Sequence, residues 1–488
     1  MNLYLIGHDY RYAAEQMLLT LFPDERPEYP DGRPTGDRAE LRLMYGTKVT
    51  TVTCVLVYHG QTANGRTSVP NGELTDPAEK DRRLQGAVKR AFYRAAMGIG
   101  LPHRPWGMLT GVRPGKLMTP LLAQGLNDAQ AARQFERQYD VSPARADLVV
   151  RTAHATLRAM ESLGEKDVCL YVGIPFCPTR CAYCSFVSQS VEKSMALVPE
   201  FLQALAREIA ATAEAVRKAG LHVVSLYIGG GTPTTLSARQ LDALCTQLAA
   251  AFDLSALREF TVEAGRPDTI TADKLQVLRA HRVDRISVNP QTLDDRVLGT
   301  IGRRHTAQDI YDALRLVRET GGFAVNMDLI AGLPGDTPDG FRATLEQVLT
   351  LAPENITVHT LSRKRGSNLM AQDAPIPDGE AVGEMLDFAN TALPKAGYAP
   401  YYLYRQKFMS GGFENVGWTR PGQENLYNIC IMEELCSILA MGGGASTKLV
   451  RPNGGRLERH IDPKYPTEYI ANIDRICAAK AELEAFFQ

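Results

Sequence analysis

Apolar and polar positions alternate in two different ways along this chain of 488 residues, and the pattern changes near residue 165. Before that point, strand-like runs and amphipathic helical segments follow one another in the order β-α-β-β-α, with a hairpin around Gly46. This order predicts a small α+β domain, and a helical connector follows it from about 128 to 163. We assign residues 1–165 to this N-terminal accessory region.

From residue 168 onward, short apolar runs alternate with amphipathic helical segments. Six runs have strand character, at 168–174, 223–229, 259–264, 284–290, 323–330 and 355–361. Strands that alternate with helices require a parallel sheet with right-handed crossovers. Six units predict an α/β fold with an open (β/α)6 barrel over 166–375, rather than the closed barrel of eight units. The alternation then stops, and 376–488 are predicted to form a mixed α/β extension that covers the substrate.

The charge balance and the apolar pattern exclude two classes of partner. Lys and Arg number 54 against 55 Asp and Glu, so no basic surface for nucleic acid is expected. No apolar stretch approaches the roughly 20 residues that a membrane span needs. The first residues lack the basic and apolar segments of a secretion signal. We therefore expect a soluble, cytoplasmic protein.

The nine cysteines divide into a scattered set and a compact group. Without a secretion signal, a disulfide framework is the less favoured interpretation. Six cysteines are spread through strand, helix and glycine-rich patterns: Cys54, Cys169, Cys245, Cys430, Cys436 and Cys477. The other three, Cys177, Cys181 and Cys184, crowd into the loop after the first barrel strand, at the rim where barrel active sites are built.

Three thiolates in one loop have three interpretations. A structural zinc site needs four closed ligands, and Cys169 could supply the fourth only if its strand bent back. An iron–sulfur cluster held by three thiolates leaves one iron open for a ligand. Three unrelated core cysteines are the remaining possibility, and the close spacing in a loop disfavours it.

The ends of the other predicted strands also carry unusual residues. The second strand leads into Gly229–Gly231, whose missing side chains allow close approach of a ligand to the backbone. The third strand ends in Glu263, Gln291 follows the fourth, and the fifth ends in Asp328. A buried carboxylate is costly unless it is paired, although either one alone could be structural. Their convergence on one rim indicates a ligand site.

The spacing Cys-x3-Cys-x2-Cys and the Gly-Gly-Gly-Thr-Pro run at 229–233 resemble the radical S-adenosylmethionine (SAM) superfamily. That resemblance implies a [4Fe–4S] cluster on the three cysteines and a SAM molecule on its open iron. One electron then cleaves SAM to a 5′-deoxyadenosyl radical, which abstracts a substrate hydrogen.

Further motifs are similar to those of the oxygen-independent coproporphyrinogen III oxidase group, and most of all to its HemZ-type branch. These motifs are Tyr-Val-Gly-Ile-Pro-Phe-Cys at 171–177, Gly-Arg-Arg-His-Thr at 302–306 and the Asn-x-Asp-Leu-Ile-x-Gly-Leu-Pro run around Asp328. They imply oxidative decarboxylation of two propionates of coproporphyrinogen III to vinyl groups, giving protoporphyrinogen IX. They also imply a flavodoxin or ferredoxin as the reducing partner.

The resemblance assigns roles residue by residue. Contact with the SAM on the cluster is implied for Tyr171, Gly230 and Glu263, with Gly229 beside them. A neighbouring pocket, where the family places a second SAM, would be lined by Tyr183, Gly231, Thr232, Gln291, Arg303 and Asp328. Ser362 falls near a further SAM contact, and Ala445 lies in a glycine-rich turn that borders the porphyrin cavity. Of these, we expect Tyr171, Glu263, Gln291, Arg303 and Asp328 to serve catalysis.

A tetrapyrrole with four carboxylates needs cations. The candidates in the sequence are Arg303, Arg304, His305, Lys364, Arg365, Arg405 and Lys407.

Three positions depart from the family pattern and keep alternatives open. The family histidine before Ile-Pro-Phe-Cys is Gly173, and the His-Asn-x-x-Tyr-Trp motif of the related haem chaperones is replaced by Glu-Asn-Leu-Tyr-Asn at 424–428. Both differences argue against a haem-binding chaperone. Ser185 and Phe186 follow the third cysteine where the best-studied oxidases carry a fourth. That difference leaves room for a radical SAM enzyme that acts on haem itself.

Overall fold

The computed structural model describes residues 1–487 except 112, 180, 185–188, 191–193, 363–374, 407–411 and 452–456. Five residues singled out in the sequence lie outside the described residues: Ser185, Phe186, Lys364, Arg365 and Lys407. The chain divides into two compact units, one formed by Met1–Val112 with Gly125–Asp147 and the other by Arg113–Gln124 with Leu148–Gln488. The domain boundaries at 165 and 375 stay predictions.

The first unit is a four-stranded sheet with helices packed on it. Its strands follow the order β1 (Asn2–Ile6), β2 (Arg38–Tyr45), β3 (Val49–Tyr58) and β4 (Gln61–Pro70). Its longer helices are Arg11–Leu21, Pro77–Gly98 and Asp128–Tyr139. Gly65 lets the second helix approach the sheet closely, because a Cβ there would lie 1.9 Å from the carbonyl oxygen of Ala91. The hairpin and both helices predicted before residue 100 are present, and β4 is an additional strand.

The second unit holds a single large sheet. Its strands in chain order are β5 (Asp167–Ile174), β6 (Phe176–Cys177), β7 (Gln189–Ser190), β8 (His222–Gly230), β9 (Glu259–Glu263), β10 (Arg285–Ser287), β11 (Ala324–Ala331), β12 (Asn355–Thr360), β13 (Ala399–Arg405), β14 (Glu414–Thr419), β15 (Ser437–Gly442), β16 (Ser446–Leu449) and β17 (Glu458–Ile461). Eleven of them pair in the order β13-β14-β12-β11-β10-β9-β8-β5-β15-β16-β17, and β6 pairs with β7.

The six strands predicted from the alternation are adjacent and parallel. Strands β5 and β8 to β12 follow one another in chain order across the sheet. The helices between them are Val198–Ala219, Ala238–Ala251, Ala272–Ala280, Asp295–Thr300, Ala307–Thr320 and Pro338–Leu351. Strand β5 pairs with β15, and β12 pairs with β14, so the six strands do not close on each other within the described part of the chain. The open (β/α)6 architecture is confirmed.

The helices begin where the sequence supplies a cap. Ser237 and Thr306 each form a reciprocal capping box with the residue three positions on, Gln240 and Asp309. The hydroxyl of Thr337 accepts a hydrogen bond from the backbone N–H of Gly340. These caps satisfy backbone N–H groups in the first turn, which have no partner within the helix.

A short helix, Leu426–Glu433, docks against β9; we call it the floor helix. The carboxylate of Glu259 accepts hydrogen bonds from the backbone N–H groups of Leu426 and Tyr427, at 2.9 and 3.2 Å. The amide of Asn425, which caps this helix, donates to the hydroxyl of Thr261 at 3.0 Å. Burial raises the pKa of Glu259, and these donors together with Arg285 oppose that shift.

The C-terminal region adds strands at both edges of the sheet. Strands β14 and β13 extend it antiparallel beyond β12, and β15 lies parallel to β5 on the other side. Its other helices are Gly379–Lys395, Pro466–Ala471, Ile473–Ala481 and Leu483–Phe487. The segment Arg113–Gln124 of this unit contains the helix Gly115–Ala123. The helix Pro143–Ser162 begins in the other unit and precedes β5 in the chain. No described helix is long and apolar enough to cross a membrane.

Candidate functional site

The ends of β5, β8 and β9 lie side by side, because the register aligns them. Gly173 of β5 pairs with Gly229 of β8, and Ile174 pairs with Gly230. Glu263, at the end of β9, pairs with Ser287 of β10. The residues that follow these strand ends therefore share one rim of the sheet, as the sequence predicts.

The cysteine loop leaves this rim directly after β5. Cys181 is buried, and Cys177 and Cys184 are half-buried. The hydroxyl of Thr232 lies 3.6 Å from Sγ of Cys177, and Nη1 of Arg266 lies 3.5 Å from Sγ of Cys181. Hydrogen-bond donors aimed at sulfur stabilise thiolates that bind iron. The three thiols and their donors fit an iron–sulfur cluster.

The glycine run after β8 brings its backbone against the cysteine loop. A Cβ on Gly231 would lie 2.4 Å from the carbonyl oxygen of Phe176 and 3.0 Å from Sγ of Cys177. Gly230 adopts a φ of +111°, which favours glycine, and a Cβ on Gly229 would lie 3.0 Å from the carboxylate of Glu263. Side chains are excluded here, so the backbone is open to a ligand.

Glu263 is the acidic group of this rim. Its carboxylate accepts hydrogen bonds from the hydroxyl of Tyr227 at 2.6 Å and from the backbone N–H of Gly230 at 3.2 Å. Burial nevertheless raises its pKa to about 7, and the charge of Asp328 adds to the shift. An N–H donor on a bound molecule would stabilise the ionised form of this carboxylate.

Three tyrosines stack beneath Glu263. Tyr227 lies 4.4 Å from Tyr427 between ring centroids, and Tyr171 lies 6.1 and 6.0 Å from these two rings. Burial, with the nearby charge of Glu263, raises the pKa of Tyr171. Tyr227 and Tyr427 were not singled out in the sequence. Tyr227 shares the face of Tyr171 because the two residues pair in register, and this alternation was the available signal.

Asp328 and Gln291 are linked through their backbones. The N–H of Gln291 donates to the carbonyl of Asp328 at 2.9 Å, and Gln291 adopts a φ of +65°, which is rare outside glycine. Its buried Oε1 has no hydrogen-bond partner among the described residues. An orphaned acceptor at this position suits a site that receives a ligand donor.

Two asparagines hold the Asp328 carboxylate. Asn289 and Asn326 each donate to it at 2.8 Å, and His359 lies 3.9 Å away. Burial opposes ionisation, but the nearby imidazole of His359 and the hydrogen bond from Asn326 keep the pKa of Asp328 below its ordinary value. These partners were missed in the sequence, although both asparagines lie within the strand motifs.

Arg303 lies beside Cys181, the second cysteine of the loop. Its Nη2 donates to the hydroxyl of Tyr183 at 3.1 Å and its Nη1 to the carbonyl of Asn289 at 2.7 Å, while Nε has no partner among the described residues. His305, also buried, has no described partner for either ring nitrogen. Burial lowers the pKa of His305 to about 3, and the charges of Arg303 and Arg266 add to this shift.

The remaining predicted residues lie around the same rim or apart from it. Ser362 follows the end of β12, and Ala445 is buried in the turn between β15 and β16. Arg304 is exposed, and the buried guanidinium of Arg405 donates to the carbonyl of Gly412 at 2.6 Å. Arg266, which reaches the cysteine loop, was missed in the sequence; it lies three residues after Glu263.

The turn before Ala445 packs against Gly173. A Cβ on Gly442 would lie 2.3 Å from the carbonyl oxygen of Gly173, and a Cβ on Gly173 would lie 3.0 Å from the carbonyl oxygen of Gly443. A side chain at 173 would therefore require this turn to shift by a few tenths of an ångström.

Comparison with known proteins agrees with the geometry. Residues 171–348 match the family model of the radical SAM superfamily. The chain is 39% identical over 389 residues to the oxygen-independent coproporphyrinogen-III oxidase-like protein HemZ of Bacillus subtilis, with 78% of each chain covered. It is 29% identical to the haem chaperone HemW of Lactococcus lactis, over 66% of this chain and 80% of that one. The solved coproporphyrinogen III oxidase HemN of Escherichia coli superposes with a TM-score of 0.51 at 25% identity, covering 66% of this chain and 72% of that one.

Proposed function

Because the chain belongs to the radical SAM superfamily, and within it to the family of HemZ, we propose that it decarboxylates two propionates of coproporphyrinogen III oxidatively without oxygen. The product would be protoporphyrinogen IX. The observation that carries this proposal is that the cysteine loop, the Gly229–Gly231 run and half-buried Glu263 lie at one rim, in a chain similar to HemZ and HemN.

The cofactors of this superfamily are a [4Fe–4S] cluster and SAM, and when bound they supply one electron and the 5′-deoxyadenosyl radical. We assign the cluster to Cys177, Cys181 and Cys184. Thr232 and Arg266 donate towards the sulfurs of Cys177 and Cys181 and would stabilise their thiolates.

We assign the amine of SAM to Glu263. Its carboxylate would accept the amine N–H, while Tyr227 and Gly230 hold it in place through their own hydrogen bonds. The glycine run excludes side chains from the space between Glu263 and the cysteine loop. This arrangement would fix the methionine end of SAM beside the three thiols.

We assign a second polar pocket to Gln291, Arg303 and Asp328. Gln291 Oε1 and Arg303 Nε are buried without described partners, and Asp328 is held ionised by its asparagines. Groups desolvated in this way are costly unless a ligand satisfies them. A second SAM would do so, because its amine or hydroxyl groups can donate to Gln291 Oε1, while a carboxylate of SAM or of the tetrapyrrole would accept from Arg303.

A haem-binding role is the second candidate, because HemW relatives match two thirds of the chain. Two observations favour the oxidase over it. Gly173 carries no imidazole, and a Cβ there would crowd the carbonyl of Gly443 at 3.0 Å. In the segment that replaces the chaperone motif, Asn425 caps the floor helix and Tyr427 stacks on Tyr227.

The experiment is anaerobic turnover of the reconstituted protein with dithionite, SAM and coproporphyrinogen III, with products identified by mass spectrometry. We expect 5′-deoxyadenosine and loss of two carbon dioxide molecules from the substrate. The Cys181→Ala variant should give neither product, and the control Cys245→Ala, which alters a buried cysteine in another helix, should give both. Tight haem binding without decarboxylation, or a modified haem as product, would contradict the proposal. Flavodoxin or ferredoxin should replace dithionite as the donor.

A further inference from the structure

Three cysteines that look scattered in the sequence meet below the tyrosine stack. Cys169 lies in β5, Cys430 in the floor helix and Cys436 in the turn before β15. Their Sγ atoms all lie within 4.8 Å of one another, and those of Cys169 and Cys436 are 3.6 Å apart. All three residues are buried. They meet because β15 pairs with β5 and the floor helix packs against Cys169 and Cys436.

The spacing of these sulfurs fits a single metal ion. A thiolate lies about 2.3 Å from zinc, so ligand sulfurs around one ion are roughly 3.8–4.0 Å apart. A [4Fe–4S] cube holds its ligand sulfurs farther apart than this. The group, which we call the floor cysteines, is thus distinct in geometry as well as in position from the loop of Cys177, Cys181 and Cys184.

The surroundings select a soft ion. The floor cysteines pack with Val224, Tyr427 and Ile438, and Leu163 and Leu435 lie at the edge of this cluster. The nearby carboxylate of Glu259 is already engaged by the N–H groups of the floor helix. Thiolates in an apolar setting favour zinc or monovalent copper over hard cations such as magnesium or calcium, which prefer oxygen ligands.

We propose that the floor cysteines bind one Cu⁺ ion, a thiophilic d10 cation that accepts three thiolate ligands, as a second metal site of the protein. The ion would join β5, the floor helix and β15 at one point. Because Tyr427 of the same helix stacks on Tyr227, the site would also fix the tyrosine that holds Glu263. The metal site would position these side chains and would not take part in the reaction, since no floor cysteine contacts the glycine run or the cysteine loop among the described residues.

The test measures metal content rather than turnover. Protein with its [4Fe–4S] cluster reconstituted is incubated with Zn²⁺ or, separately, with Cu⁺, desalted, and analysed by elemental mass spectrometry. We expect one equivalent of copper in the wild type and in the Cys177→Ala/Cys181→Ala/Cys184→Ala variant, and less zinc than copper, because zinc lacks a fourth ligand among the described residues. Cys436→Ala and Cys169→Ala should retain less than a tenth of that amount, and the control Cys245→Ala should retain all of it.

X-ray absorption at the metal edge of the wild type tests the site without any variant. Three sulfur ligands at about 2.3 Å are expected. The proposal fails if the wild type retains no ion, if Cys436→Ala and Cys245→Ala retain equal amounts, or if the absorption shows nitrogen and oxygen ligands. It also fails if peptide mapping of the metal-free protein as purified shows a Cys169–Cys436 disulfide. None of these results bears on decarboxylation, so the two proposals can fail separately.

Discussion

The hydroxyl of Tyr227 donates a 2.6 Å hydrogen bond to the carboxylate of Glu263, and this pair joins the tyrosine stack to the rim of the sheet. Glu263 also accepts from the backbone of Gly230, so its position relative to the glycine run is fixed from two sides. The hydrogen bond from Tyr227 lowers the pKa of Glu263, against the larger effect of burial. The pair thus increases the ionised fraction of the carboxylate that is available to a ligand.

Replacing Tyr227 by Phe should weaken SAM binding. Loss of a hydrogen bond to a buried carboxylate costs about 1–3 kcal/mol, which corresponds to roughly tenfold or more in affinity. Calorimetric titration of the reconstituted protein with SAM measures this. Tyr29→Phe is the matched control, because Tyr29 donates a 2.8 Å hydrogen bond to Glu15 in the other unit. Equal SAM affinity in both variants would refute the role of Tyr227.

SAM affinity should fall as the pH drops below about 7. The raised pKa of Glu263 means that its carboxyl becomes protonated, and stops accepting from the SAM amine, as the pH falls through that value. Between pH 7.5 and pH 6 the ionised fraction drops about eightfold, and the affinity should drop by a similar factor. Glu263→Gln should bind weakly and almost independently of pH. An unchanged slope in this variant would assign the titration to another group.

Each cysteine of the loop should be needed for the cluster. Cys177→Ala, Cys181→Ala and Cys184→Ala should each lose most of their iron after anaerobic reconstitution, since three thiolates are the protein ligands of the cluster. Iron and sulfide analysis gives the number of irons per chain. The control is again Cys245→Ala. A full complement of four irons in any loop variant would remove that residue from the ligand set.

Arg266 should tune the cluster without holding it. The Arg266→Met variant loses a charged donor 3.5 Å from Sγ of Cys181. Iron content should stay near that of the wild type, while the midpoint potential of the cluster shifts negative by tens of millivolts, because a donor to a ligand sulfur stabilises the reduced state. A redox titration followed by electron paramagnetic resonance measures the shift. Arg315→Met, which breaks an exposed pair with Asp312, should leave the potential unchanged.

The alternation of apolar runs and amphipathic segments predicted those parts of the fold that are formed by segments consecutive in the chain. Alternation of apolar runs and helices was sufficient for the six parallel strands, because each crossover returns the chain beside the preceding strand. Glu263, Asp328 and the glycine run could be assigned to one rim for the same reason. Strand β10 is shorter than predicted, ending at Ser287, since the chain then turns through Gln291 to pair with Leu329.

Other features depend on residues far apart in the sequence. Strand β15 lies beside β5, and this brings Cys436 next to Cys169 although the two residues are 267 positions apart in the chain. A local sequence pattern contains no information about such a contact. Arg266 was missed because a single arginine after a strand resembles any solvated loop cation. The floor helix is short, and it is held in place by hydrogen bonds to the carboxylate of Glu259. The sequence alone does not distinguish this buried glutamate from one on the surface.

Isotope transfer tests the central claim most directly. Coproporphyrinogen III carrying deuterium on the β-carbons of its propionates is incubated anaerobically with the reconstituted protein, SAM and dithionite. We expect deuterium in the 5′-deoxyadenosine that forms, together with a vinyl product that has lost carbon dioxide. Unlabelled 5′-deoxyadenosine with intact substrate would contradict this claim.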